Sequence, residues 1–397
     1  MTKQTNTPEL RFPEFKNEWS KLTMNDFLIE DKQYGTQKDT NFPIVTSSRQ
    51  GLYIQNKYFE GDRSFANENV TFSIVPINYF TYRHMSDDDI FKFNINKFNT
   101  PILVSKEYPV FTVKNTFSQN FIFYELNNNI RFLKFCRIQK KGGTRTRLYF
   151  KNLLKYQTYF PNYEEQQKIG AFFYLLDQQI ELEEKKLELL EQQKRGYMQK
   201  IFSQELRFKD ENNNNYPEWK IKKLEEISEF QNGKAHENFV SDTGNFILVN
   251  SKFISTESKV KKYVDKQLTP LGINDIAIVM SDVPNGKALA KCYLIENDNT
   301  FTLNQRIGRI FNIEGNSRFL FTQINRNKQL LKYDSGVGQT NLKKSEIIGI
   351  KIYWPNKREQ DKIGDFFINL DSIIEKQSTK VELLKQRKKG LLQKMFV

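Results

Sequence analysis

The sequence predicts an α+β fold: two α/β globular domains separated by two long antiparallel coiled-coil helices, related by a pseudo-twofold internal repeat. Three observations predict it. The segment Tyr159–Phe202 recurs without a gap at Tyr353–Phe396, offset by about 194 residues and identical at about 24 of 44 positions. Both copies carry a sustained heptad pattern. The stretches before them are nearly unrelated to each other, yet both hold short β-branched and aromatic runs bounded by turn residues. The expected division is 1–158 for the first module, 159–203 for the central helix, 204–352 for the second module and 353–397 for the distal helix.

Each half opens on one motif. Glu9-Leu10-Arg11-Phe12 with Trp19 recurs as Glu205-Leu206-Arg207-Phe208 with Trp219, and the second copy carries an insertion, Asp210–Asn215, that reads as a solvated linker. Within the first module, Phe42–Ser47, Val70–Val75 and Pro109–Val113 read as strands. In the second, Phe246–Val249, Ile276–Met280 and Ile347–Tyr353 do the same.

Both halves then carry a glycine loop at one distance from the helix. Lys140–Leu148 aligns with Asp334–Leu342, sharing Gly142/Gly336, Thr146/Thr340 and Leu148/Leu342 but differing at Arg145/Gln339 and Arg147/Asn341. Glycines permit close backbone approach to a phosphate. Arg suits guanine edges and phosphates, whereas Gln and Asn suit adenine edges. One scaffold with two sets of hydrogen-bonding side chains is what two DNA readers of different preference require. A helix-packing turn with drifting surface residues is the alternative.

Each helix starts from an aromatic-Pro-Asn entrance, Phe160-Pro161-Asn162 and Trp354-Pro355-Asn356, with Glu165-Gln166 and Glu359-Gln360 in the first turn, where the helix dipole favours the acidic group. Spacings of four and three then place Ile169, Phe173, Leu176, Ile180, Leu187 and Leu190 on one seam. Ile363, Phe367, Leu370, Ile374, Val381 and Leu384 repeat the register. Polar residues interrupt it at Glu183/Gln377 and Lys194/Lys388, and an antiparallel pair would bring Glu183 nearer Lys388 than Gln377. At 1.5 Å per residue the first helix would extend ~57 Å, a rod able to hold two modules apart. A coil that merely dimerises the chain has the same periodicity.

Composition narrows the function. With 397 residues the chain can hold more than one core, and 34 Phe with 18 Tyr let the modules bury aromatic interiors. A net charge of +14 and a pI near 9.4 ask for a polyanionic partner, nucleic acid being the commonest, against the alternative of a solvated Lys-rich surface. Cys136 and Cys292 form no CxxC pair and read as reduced thiols. Met1–Phe15 lacks a signal peptide's apolar core and no stretch has the length of a membrane span, so a cytoplasmic location is expected.

Chemistry is sparse. No GxxxxGK loop, cofactor loop or Asn/Asp-Pro-Pro-aromatic motif of an amino-methyltransferase appears, and only His84 and His236 exist for histidine catalysis. The acidic run Asp87-Asp88-Asp89 reads as a solvated turn rather than a metal site, because no second ligand cluster accompanies it. No catalytic or metal-binding residue is expected.

These features together resemble the specificity (S) subunits of type I restriction–modification systems. The resemblance covers essentially the whole chain and rests on the ELRF…EW openings, the two divergent modules and the repeated Pro-Asn…Glu-Gln…Lys-Ile-Gly…Phe-Phe…Leu-Asp helices. It implies that each module is a target recognition domain reading one half of a split double-stranded DNA sequence. It implies helices that space the half-sites and dock two methyltransferase (M) subunits, with restriction/translocase (R) subunits in the full complex. S-adenosylmethionine, ATP and Mg then belong to those partners and no cofactor to this chain, with no membrane involved. Reading residues do not transfer by motif between such modules. The DNA-contact candidates therefore come from local chemistry: Arg49, Arg83, Lys141, Arg145 and Arg147 in the first module, Lys234, Lys287, Gln339, Asn341 and Lys343 in the second. The competing readings are a coiled-coil scaffold for an acidic protein partner and a self-sufficient modification enzyme. A scaffold has no reason to vary both modules while keeping both helices.

Overall fold

The computed structural model describes residues 6–55, 70–140, 144–283, 286–296, 300–334 and 336–396. The chain forms two compact units, Met1–Lys185 with Thr379–Val397, and Lys186–Ser378. In the first, an antiparallel four-stranded sheet runs Leu28–Asp31, Val110–Val113, Phe80–Tyr82, Phe93–Ile95. Its inward face is aromatic: Phe80 stacks on Phe111 with centroids 4.9 Å apart, and Tyr82 packs on Phe93 at 4.5 Å. A smaller sheet orders Ile102–Ser105, Phe72–Val75 and Tyr34–Gly35, all antiparallel. Helices α1 (Gln119–Asn128) and α2 (Ile130–Arg137) start at Ser118 and Asn129, whose side chains accept from Phe121 N and Arg131 N. The long helix α3 covers Tyr163–Phe202.

The second unit repeats the plan under a different sequence. Its four-stranded sheet runs Glu229–Asn232, Ile307–Phe311, Ile276–Val279, Cys292–Leu294, the same spatial order as in the first unit. The small sheet differs, because Phe246–Val249 pairs in parallel with Phe301–Leu303 and antiparallel with Tyr263–Val264. Helices α4 (Ser317–Ile324) and α5 (Lys328–Leu331) are capped by Asn316 and Asn327, and α6 is Lys357–Met395. In each unit the chain enters and leaves on paired strands, Ser20–Thr23 with Gln157–Phe160 and Lys220–Lys223 with Lys351–Trp354. A module closed this way can change inside without disturbing the helix that follows.

The repeated helix motif has a packing reason, residue by residue. Asn162 caps α3 by accepting from Glu165 N at 2.9 Å, and Asn356 does the same for Glu359 N in α6. The Gln166 carboxamide accepts from Ser118 N at 3.1 Å and donates to Pro161 O at 2.9 Å; Gln360 accepts from Asn316 N at 3.0 Å and donates to Pro355 O at 2.8 Å. Each glutamine thus ties the start of α1 or α4 to a long helix. The glycine one turn on makes room: a Cβ on Gly170 would lie 2.7 Å from Phe121 N, and one on Gly364 2.9 Å from Phe319 N. We expect Gly364→Ala to cost about 1–3 kcal/mol by overpacking, checked by denaturant unfolding. Gly390→Ala is the control, since nothing lies within 4 Å of its Cβ position. Nothing in the packing explains why Gly196 and Gly390 recur.

The seam is buried or half-buried at every predicted position from Ile169 to Leu190 and from Ile363 to Leu384, whereas Tyr197, on the same register, is exposed. In the first unit the start of α3 meets the end of α6 antiparallel: Lys388 pairs with Asp177, Lys380 with Glu183, and Lys385 with Glu184 at 2.5 Å. Phe396 packs on Phe121 and Phe173 at 5.1 and 5.9 Å. In the second unit the end of α3 meets the start of α6, with Lys194 on Asp371 and Phe202 stacked on Phe367 at 6.3 Å. The expected approach of Glu183 to Lys388 is corrected. The antiparallel register is set so that each interrupting lysine finds the Leu-Asp aspartate of the other helix, and Glu183 takes Lys380 instead.

One further expectation changes. Only the second half of Ile347–Tyr353 is strand (Lys351–Trp354), because Lys344–Ile348 forms a helical turn that buries Ile347. The insertion is exposed over 211–215, as expected, and turns on the Asp210 carboxylate, which accepts from Asn212 N at 2.9 Å and Asn214 N at 2.8 Å. Among the described residues, no helix is long and apolar enough to cross a membrane.

Candidate nucleic-acid interface

The aligned loops form equivalent two-stranded ribbons, one in each unit. In the first, β1 (Met85–Ser86) pairs with β2 (Thr146–Arg147); in the second, β3 (Ser281–Asp282) pairs with β4 (Thr340–Asn341). Alternation along a strand fixes which residues face in. Thr146 and Thr340 are buried, while Arg145, Arg147, Gln339 and Asn341 are exposed. The next residue anchors each ribbon: Leu148 N donates to His84 O at 2.8 Å and Leu342 N to Met280 O at 2.7 Å. The shared Thr and Leu are therefore the frame, and the differing residues are what the frame displays.

The acidic run is solvent-exposed at Asp87 and Asp88, as a solvated turn would be, but its carboxylates are paired. Asp87 accepts from Arg145 Nε at 2.7 Å, and Asp89 accepts from the Thr146 hydroxyl. Asp88 takes Arg49 through both terminal nitrogens, one at 2.7 Å, and also the Ser86 hydroxyl at 2.9 Å. Arg49 first, then Ser86 and the Ile90 amide, hold the Asp88 carboxyl down at about 2. These contacts lock the hairpin Val45–Ser48/Gly51–Ile54 to the ribbon. His84, behind it, is buried and stacks on Tyr149 at 5.5 Å; desolvation lowers its pKa, with nearby Arg147 and Arg83 adding to that against Glu107. Among the described residues no cluster of His, Cys, Asp and Glu is placed to hold a metal. Both thiols are buried and free, and burial pushes Cys136 up to about 12.

In the second ribbon Gln339 Nε2 donates to the Ser281 hydroxyl at 2.6 Å. Gly336 and Gly338 have φ of 68° and 79°, a left-handed backbone that glycine adopts without strain. Asp282 accepts from Ala288 N and Leu289 N at 2.7 and 3.0 Å, which places the exposed Lys287 beside this ribbon. Lys343, exposed, follows it directly.

The predicted residues thus divide. Arg49, Arg145 and Arg147 meet at the first ribbon with exposed Arg83 just before it; Gln339, Asn341, Lys343 and Lys287 gather at the second. Lys234 stands apart, exposed and bridged through its backbone to Asn304. Lys141 lies outside the described residues. The sequence reading passed over Lys134, Arg137 and Lys140, exposed on and after α2, and Lys328 and Lys332 on and after α5. The three-residue spacing of Arg131, Lys134 and Arg137 was the available signal.

Two copies of one sheet-and-ribbon module, each followed by a long helix and each displaying its own polar set, define a duplicated recognition protein. Residues 19–192 and 216–385 match the family of the type I restriction modification DNA specificity domain, and the chain belongs to that family. It is the DNA specificity subunit of a type I restriction–modification system. It is 28% identical over 292 residues to the type I restriction enzyme MjaVIII specificity subunit of Methanocaldococcus jannaschii, covering 68% of either chain. The fold is similar to the S subunit of a type I restriction–modification system from M. genitalium, with TM-score 0.64, 16% identity, and 98% and 99% of the two chains covered. A chain from a study of complex assembly and conformational transition in the type I R-M system matches at TM-score 0.52 and 11% identity, over 95% and 97% of the chains.

Proposed function

We propose that residues 1–158 and 204–352 each read one half of a split double-stranded DNA target. The helices 159–203 and 353–397 set the spacing and dock two M subunits, and R subunits complete the assembly. S-adenosylmethionine, ATP and Mg act in those partners, and this chain supplies the address. The observation that carries the reading is the pair of ribbons: one frame, anchored alike at Leu148 and Leu342, displaying Arg145 and Arg147 in one unit and Gln339 and Asn341 in the other. Leu175 and Leu182, one heptad apart and more than half exposed on α3, give a docking helix an apolar stripe.

Co-expression with the neighbouring M subunit followed by genome-wide mapping of methylated adenine tests this directly. A bipartite motif with a fixed gap is expected, and exchanging one module should change one half only. Methylation indifferent to that exchange, as a scaffold predicts, refutes the reading. DNA affinity should also fall steeply with salt. Six phosphate contacts lose about a thousandfold between roughly 50 and 200 mM, which filter or fluorescence titration measures.

A further inference from the structure

The first ribbon separates two arginines that the sequence leaves equivalent. Arg49 offers Asp88 both terminal nitrogens, so the pair of donors that grips a guanine edge is already used. Arg145 is held through Nε alone, by Asp87 at 2.7 Å, and its terminal nitrogens carry no hydrogen bond among the described residues. A guanidinium fixed on one edge presents its other edge in a set direction, with less rotamer freedom left to lose on binding. The second unit has the same arrangement at the aligned position. Gln339 is tied through Nε2 to the Ser281 hydroxyl on the opposite strand, and its Oε1 carries no hydrogen bond among the described residues.

We propose that Arg145 reads guanine at one position of the half-site, that Asp87 is its positioning residue, and that Arg49 with Asp88 is a structural strut. This rests on the specificity-subunit reading above. An aspartate on a phosphate-facing surface repels DNA, so its contribution must lie in selectivity rather than affinity. Removing it should therefore move the two in opposite directions, which a residue that merely supports the fold would not do.

The test uses the S subunit assembled with its M subunits, by methylome mapping and by competition between specific and nonspecific DNA. Arg145→Lys keeps the charge and loses the planar donor pair; it should relax one base position in one half-site by about tenfold or more. Asp87→Ala should relax the same position while nonspecific affinity holds or rises. Asp87→Asn, which still accepts from Nε, should restore most of the preference. Arg49→Lys should leave the motif intact and lower the thermal midpoint. The proposal is overturned if Arg145→Lys leaves the motif unchanged, if Asp87→Ala leaves that position as selective as before, or if Arg49→Lys relaxes a base. A wild-type complex without any split motif would instead undo the underlying reading.

Discussion

Replacing Arg207 with alanine is expected to destabilise the second unit by about 3–5 kcal/mol, the range for breaking a buried ion pair. Glu359 is fully buried in the first turn of α6, and Arg207 reaches it with Nε at 3.2 Å and a terminal nitrogen at 2.8 Å. The same guanidinium donates to Tyr216 O and Pro217 O at 3.2 and 2.8 Å, and Trp219 Nε1 gives the carboxylate a further bond at 2.8 Å. Without Arg207 a buried charge keeps, among the described residues, the indole as its only donor. The second change Glu359→Gln should recover part of the loss, because the amide retains an acceptor for Trp219 and carries no charge. A double-mutant cycle by denaturant unfolding measures the coupling, and a loss below about 1 kcal/mol, typical of an exposed pair, would contradict the assignment. Arg11 holds Glu165 likewise at 2.6 and 2.7 Å, so the opening motif of each repeat serves to clamp the start of a long helix.

That clamp marks the limit of reading the chain as text. Both of its motifs stood out as repeats, but their partnership spans 154 residues in one half and 152 in the other, and no periodicity links them. Seam positions such as Ile169 and Phe367 were legible because a heptad is a local pattern that packing alone enforces. The equivalence of the two four-stranded sheets was not, since strands of three to five residues accept any β-branched or aromatic filling and need share no identity. Ile347 looked like strand for the same reason: a short apolar run does not say whether its burial is helical or extended. The ribbons came through in part. Thr146 and Leu148 recur because they face inward, while Asp88 looked like free charge because Arg49 lies 39 residues away on another hairpin.

The pH dependence of the first unit should rest largely on one side chain that no DNA contact needs. Glu125, in α1, is completely buried among Asn129, whose amide donates to both carboxylate oxygens at 2.9 Å, and Tyr156, whose hydroxyl donates at 3.2 Å. Burial drives its pKa up from 4.5 to about 7, and the hydrogen bonds from Asn129 and Tyr156 with the charge of Arg131 offset only part of that. The folded value lies above the unfolded one, so the native state holds the proton longer and stability falls as pH rises. The loss begins near the unfolded value of 4.5, accumulates up to the folded value of about 7, and is complete above it. At about 1.4 kcal/mol per pH unit this amounts to about 3 kcal/mol by pH 8. Glu125→Gln keeps an acceptor for Asn129 and removes the charge. Its unfolding free energy should match wild type near pH 4.5 and exceed it by about 2–3 kcal/mol at pH 8. Denaturant unfolding at successive pH values gives the difference curve. Parallel curves for the two proteins would mean that the buried carboxyl ionises without cost and that the pH sensitivity of this unit lies elsewhere.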